Sequence, residues 1–317
     1  MHAPHEDDDT LLARRDGWLP IREVARLTGV NPVTLRAWER RYGLIVPQRT
    51  PKGHRLYDQD HVARIRAILA WLDRGVAVGQ VKGLLNGPPT AGNAGVAPPD
   101  DPWTAQRQAL AEAVEALAER TLDERFNQAQ ALYPATTLCE RLLLPLLADL
   151  ERHGQERFGA RLRRTFFHGW LRGRLAARLY HHNQRQGGAP LLLLDLDEHD
   201  RDPGLWLSAW LAAGVGGPVQ VLDGPVPAEE WTLAMERIRP RAMVLYASQA
   251  LEGARLRRHL VRLAAWAECP VLLAGPVARI HRELLADIDG LGLADDPLAA
   301  LAYLHRAGAL DTQGTPS

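Results

Sequence analysis

Two stretches of the chain hold residues whose types and spacing could do chemistry. The first is LLLLDLDEHDRDPGLW, Leu191 to Trp206: an apolar run, then acids around one histidine, then Gly204 opening a helix-like pattern. His199, with Asp197 and Glu198 beside it, is the kind of group that ligates a metal while an acid orients its second ring nitrogen. The second is a field of cations. Residues 18–86 carry twelve Lys and Arg against Glu23, Glu39, Asp58, Asp60 and Asp73, a net +7 in a chain whose formal charge is zero. A basic module on a body that is acidic by the same amount points to a polyanion as the partner of that module alone. Other chemistry finds less support. Cys139 and Cys269 are the only cysteines, too few for a disulfide framework or a thiolate metal cluster. His168, His181 and His182 lack ligand spacing, so no metal is expected. There is no Gly-rich phosphate loop and no nucleophile elbow, so no catalytic residues are assigned and an enzyme is not expected.

The acid-rich loop must be held by the elements around it. Short apolar runs recur as LLLLDL at 191, PVQVLD at 218, AMVLYA at 242 and PVLLAG at 270, with helical patterns beginning near Gly204, Pro227, Glu252 and Val277. Buried parallel strands with crossover helices predict a doubly wound, flavodoxin-like α/β domain over residues 187–307. Ligands of such sheets sit outside the carboxyl ends of the strands, which is where Asp195 to Gly204 falls. Residues 104–186 have helical periodicity, with Leu110, Val114 and Leu117, then Leu122, Phe126 and Ala129. Tyr133-Pro134 breaks the run, Thr136 or Thr137 is the expected cap of a third helix kinked at Pro145, and a fourth runs from Phe158 to His182. These predict a four-helix bundle. The Pro-, Gly- and Ala-rich residues 87–103 are read as a linker, and 1–17 and 308–317 as tails. No apolar run approaches the roughly 20 residues of a membrane helix. The N-terminus has no signal pattern, and a cytoplasmic protein is expected.

Residues 18–86 are the more specific module. Ile21 to Leu27 predicts a short helix, Thr28-Gly29-Val30 a turn, Asn31 an N-cap and Pro32 the first position of a second helix that Gly43 stops. Two helices joined this way are a helix-turn-helix. A hairpin follows over Val46 to Tyr57, turning at Pro51-Lys52-Gly53 and lined by Arg49, Lys52, His54 and Arg55. Asp58 or Asp60 caps a third helix. The stretch NPVTLRAWERRYGLIVPQRTPKGHRLYDQDHVARI resembles the recognition helix, wing and third helix of MerR-family transcriptional regulators. That resemblance implies a winged helix-turn-helix that binds a double-stranded palindromic operator as a dimer or higher homo-oligomer, with RNA polymerase at the target promoter. It implies DNA contacts from Thr34, Arg36 and Tyr42 on the recognition helix and from Arg49, His54, Arg55 and Tyr57 on the wing. Glu39 is expected as an internal salt-bridge partner of the module, and Trp38 and Trp71 as core.

The body resembles two branches of that family. NPVTLRAW, YPA at 133 and LLLPL at 142 are similar to the enterobacterial MerR-like activators of curli and biofilm genes. The order of head, helical unit and α/β domain resembles the cobalamin-dependent light-sensing repressors. The second resemblance implies an Asp/Glu-x-His-x-x-Gly motif, whose His ligates cobalt and whose Gly admits the cofactor tail. Here Gly204 lies five residues after His199, and in register with Gly204 the ligand position holds Arg201, which cannot ligate a metal. Ser248 suits the tail pocket, but Ala274-Gly275-Pro276 replaces its usual Gly-Gly. No Trp lies between Trp103 and Trp170, where the branch keeps one over the cofactor. The expectation is therefore a degenerate cobalamin-binding-like domain with no cofactor, which dimerises and leaves room for a small-molecule effector. A light-responsive repressor is the alternative. Arg161, Arg163, Arg164, Arg172, Arg174 and Arg178 on one helix are read as a solvated face rather than an anion site.

Overall fold

The computed structural model describes residues 17–86, 102–154, 158–197 and 202–310. The His199 loop and most of the expected tails and linker lie outside the described residues. The chain divides into two compact units, residues 1–163 and 164–317. The division falls inside the fourth helix rather than at the expected boundary at 187.

In the first unit, β1 (Leu19–Pro20) leads into α1 (Ile21–Thr28) and α2 (Pro32–Ala37), which continues as a π turn over Trp38–Tyr42. Asn31 caps α2 by accepting from the backbone N–H groups of Val33 and Thr34, and Pro32 fills N1, where its missing N–H costs nothing. Gly43 ends the turn at φ +54°, a left-handed conformation that glycine adopts without a Cβ penalty. The wing is β2 (Gln48–Arg49) paired antiparallel with β3 (Arg55–Tyr57), and β1 adds an unexpected third strand on the other side of β3. Asp58 caps α3 (Gln59–Asp73) in a reciprocal box with His61. A shorter helix, α4 (Val78–Asn86), follows.

The helical part contains α5 (Pro102–Glu115), α6 (Glu119–Leu132), α7 (Ala135–Leu138) and α8 (Leu144–Gly154). The expected cap at Thr136 or Thr137 is corrected: Pro134 takes the cap position and both threonines lie inside α7. Between α7 and α8 the helix widens to a π turn over Cys139–Leu143. Pro145 is the cause, because it has no N–H to give the carbonyl four residues back. That carbonyl, of Arg141, accepts from Arg107 Nη1 on α5 instead, at 3.1 Å.

In the second unit, α9 (Ala160–Asn183) leads into β4 (Leu191–Asp195) of a parallel five-stranded sheet. The others are β5 (Val219–Pro225), β6 (Ala242–Tyr246), β7 (Val271–Ala274) and β8 (Leu291–Ala294), in the order β5-β4-β6-β7-β8. This is the doubly wound order of the flavodoxin-like fold. Helices α10 (Gly204–Ala213), α11 (Trp231–Ile238), α12 (Gly253–Trp266), α13 (Pro276–Ile280) and α14 (Arg282–Leu285) lie in the crossovers, and α15 (Pro297–Arg306) follows the last strand. Every residue of β4 and β6 is buried, as continuous apolar runs require of strands covered on both faces. Even-numbered and odd-numbered positions of these strands feed two separate apolar layers, one holding Leu191, Leu193 and Val244, the other Leu192, Leu194 and Met243. At the sheet edge, Asn183 donates to the Val219 carbonyl at 2.7 Å and accepts from the Val219 N–H at 3.0 Å.

Candidate nucleic-acid interface

The sequence dictates which sides of α2 face in and out. Residues three and four apart share a helix face. Leu35 and Trp38 are fully buried, and so is Thr34. Val33, Arg36 and Arg40 recur at the same spacing on the opposite side, and all three are exposed. The buried side is held from outside the head. Trp38 Nε1 donates to the Leu132 carbonyl at 2.8 Å, and Thr34 Oγ1 lies 3.4 Å from the Gln130 carbonyl, both at the end of α6. The open side carries the guanidinium groups of Arg36 and Arg40 into solvent, where phosphate oxygens and guanine edges can meet them.

The wing brings its cations to the same helix through one acid. Glu39 Oε1 accepts from Arg49 Nη2 at 2.7 Å, and its Oε2 accepts from Arg55 Nε at 2.5 Å. Burial works against the charge on Glu39, but the bonds from Arg55 and Arg49 outweigh it and hold the carboxyl below its usual range. The expected internal role of Glu39 is what the structure has. One carboxylate does not neutralise two arginines, so the group keeps an excess positive charge, and Arg49 remains half exposed. His54 and Lys52 lie exposed on the turn between the strands.

Two residues expected to contact DNA are buried as the side chains stand. Thr34 is polar, so its place on a reading helix suggested a base contact, but its hydroxyl is spent on the end of α6. Tyr57 is fully buried in the head, and burial, with Glu39 adding to it, pushes its phenol up to about 12. Neither reaches the surface that Arg36 presents. Tyr42 is half buried, with Cε1 3.6 Å from where a Cβ on Gly79 would lie, so it packs against α4. Arg36, Arg49, His54 and Arg55 stand where a duplex could meet them. Arg40, which the sequence also offers as a cation of the second helix, lies on the same exposed face; Val33 belongs to that face and was not singled out from the sequence, although its spacing from Arg36 was a usable signal.

The carboxyl end of the sheet was the other candidate, and there the question is whether cobalamin fits. Asp197 follows β4 and accepts from the Ser248 N–H at 2.8 Å and the Ser248 hydroxyl at 2.7 Å. Burial nonetheless pushes the Asp197 carboxyl up, outweighing those bonds. Tyr246, at the end of β6, donates its hydroxyl to Asp202 Oδ1 at 2.5 Å. The Tyr246 oxygen stands 1.9 Å from where a Cβ on Gly204 would be, and its ring 2.9 Å from that position on Gly275. These glycines stand nearest to the places where the cobalamin-binding branch leaves space for a cofactor tail. The chain's own tyrosine fills that space, so the described residues do not fit cobalamin. No group of three or more potential metal ligands occurs among the described residues.

Comparison with known proteins gives the head a family. Residues 19–87 match the MerR HTH family regulatory protein domain. The chain is 36% identical to the HTH-type transcriptional regulator MlrA of Salmonella typhimurium over 202 residues, 64% of this chain and 78% of that one. It is 28% identical to the HTH-type transcriptional repressor CarH of Myxococcus xanthus over 284 residues, 83% of this chain and 90% of that one. Among solved structures it is similar to a cobalamin-binding protein from Desulfitobacterium hafniense DCB-2, at 18% identity and a TM-score of 0.33, over 64% of this chain and 97% of that one. That last likeness is too distant to carry any assignment. With the capped helix-turn-helix, the basic wing and these relatives together, the chain belongs to the MerR HTH family of DNA-binding transcriptional regulators.

Proposed function

We propose that this regulator binds a palindromic operator as a homodimer or higher homo-oligomer. Helix α2 enters the major groove with its Arg36 and Arg40 face, and the wing lays Arg49, His54 and Arg55 along the phosphate backbone. The observation that carries this reading is the exposure of Arg36 and Arg40 on the side of α2 opposite its buried seam. A helix of about 10–12 Å diameter fills a major groove of about 12 Å, so the face that enters must be free of other protein. The second unit acts in assembly and in response to an effector other than cobalamin, since Tyr246 occupies the space between Gly204 and Gly275. No helix among the described residues is long and apolar enough to cross a membrane.

Binding of the full chain to a selected operator, measured at several salt concentrations with Arg36→Ala and Arg55→Ala, tests the docking. Both substitutions weaken binding with the fold intact. Unchanged affinity for both overturns the orientation proposed for α2 and the wing. Incubation with hydroxocobalamin followed by gel filtration tests the second unit, and co-elution of visible absorbance with the protein overturns that part.

A further inference from the structure

The exposed face of α2 is not uniformly cationic. Val33 stands at 58% exposure beside the arginines, while Leu35 and Trp38 of the helix and its π turn are at 0%. Nothing in the head needs an apolar residue there. The helix is already capped by Asn31 and started by Pro32, and a β-branched residue is a slightly poorer helix former than a straight-chain polar one. Half-buried Ala37 follows four residues later on the same face, so Val33 and Ala37 make a short apolar strip alongside Arg36 and Arg40. In helix-turn-helix docking the N-terminal residues of the second helix meet base edges, while flanking cations meet phosphates.

A valine side chain has no donor and no acceptor. The edge chemistry of the major groove offers it one complementary group, the C5-methyl of thymine. Opposite cytosine the same position meets a bare C5–H, and the apolar contact is lost. We propose that Val33 is a specificity-determining residue of this regulator and selects thymine in each operator half-site by packing on its methyl group. The proposal rests on the docking of α2 described above and adds the base that one of its residues reads.

The test uses the full-length protein and a duplex recovered by selection from a random pool. Each thymine of a half-site is replaced in turn by deoxyuridine, which removes the methyl and leaves every hydrogen-bonding group in place. One position is expected at which wild-type binding weakens roughly fourfold, the size expected for one buried methyl-sized group. With Val33→Ala, the same replacement has no further effect, and Val33→Thr, which keeps one methyl, lies between. Val33 is exposed, so these variants keep the fold, and Arg36→Ala serves as the control for docking. If Arg36→Ala weakens binding but uracil is tolerated everywhere, or its effect persists unchanged in Val33→Ala, the thymine inference is overturned and the docking stands. If no sequence is enriched, or Arg36→Ala binds as well as wild type, the docking itself fails and takes the inference with it.

Discussion

At helix α2 the protein holds its own structure away from a surface and leaves Arg36, Arg40 and Val33 in solvent. At the carboxyl end of β4, β6 and β7 it does the reverse, and the Tyr246 side chain takes up the space beside Gly204 and Gly275. Each place is where its fold usually meets a ligand. The difference lies in what satisfies the polar groups. Asp202 has its tyrosine hydroxyl and the Gly204 N–H as donors, and Asp197 has Ser248. Arg36 and Arg40 form no ion pair among the described residues, so water is the competitor that a phosphate would displace. A filled site contributes stability and an open one contributes affinity. Substitutions at the two should therefore affect different measurements.

The largest expected effect is on the filled side. Tyr246→Ala leaves a cavity between the two glycines and removes a donor from Asp202, and should cost about 3–5 kcal/mol in urea unfolding of the full chain. A loss under about 1 kcal/mol would show that the tyrosine is a loose cover rather than part of the core. Next is Arg36→Ala, expected to weaken operator binding by about 1–3 kcal/mol with unfolding unchanged. A matching drop in stability would mean that Arg36 is structural and the contrast between the two regions fails. Tyr246→Phe keeps the ring and deletes the hydroxyl, so about 1–2 kcal/mol is expected, because the Gly204 N–H still serves Asp202. If Phe costs as much as Ala, hydrogen bonding rather than packing closes the site.

The smallest effect is at Glu39, the one acid of the open region. Its folded-state pKa lies below the ordinary value of 4.5, so the stability it contributes is present above that value and is lost as pH falls through the depressed one. Wild type should exceed Glu39→Gln by about 1 kcal/mol at pH 6, and the gap should close on titration below pH 4. A gap that is constant with pH would assign the contribution to shape instead of charge.

The head was the more legible part of the sequence. Its caps, turn glycines and hairpin are local signals, and Asn31, Pro32, Gly43, Gly53 and Asp58 stand where those signals put them. The burial of Thr34 and Tyr57 comes from contacts that local pattern cannot carry. Thr34 meets a carbonyl 96 residues away, and a polar residue on a reading helix gives no hint of it. In the second unit, four strands announced themselves as apolar runs. The fifth, β8, reads LGLA and is only alternately buried, at an edge of the sheet. Its Gly292 admits the Tyr303 ring 2.3 Å from where a Cβ would lie, so the residue that makes the packing work is the one that hid the strand. The role of Tyr246 was equally silent, because a tyrosine ending AMVLY looks like any strand residue until Gly204 and Gly275 are seen on either side of it.

The two bonds from Asn183 to Val219 have a consequence for how the molecule behaves in company. β5 is an edge strand, and an edge strand offers its free amides and carbonyls to any other chain that arrives extended. The Asn183 carboxamide presents one donor and one acceptor in the same pattern as a neighbouring strand and occupies the first rung of that ladder. His182 Nε2 lies 2.9 Å from the Gly217 carbonyl just before it. The end of α9 thus covers the start of that edge. Asn183→Leu, which keeps the bulk and removes both bonds, would open that edge to association beyond the oligomer that the wild-type chain forms at the same concentration.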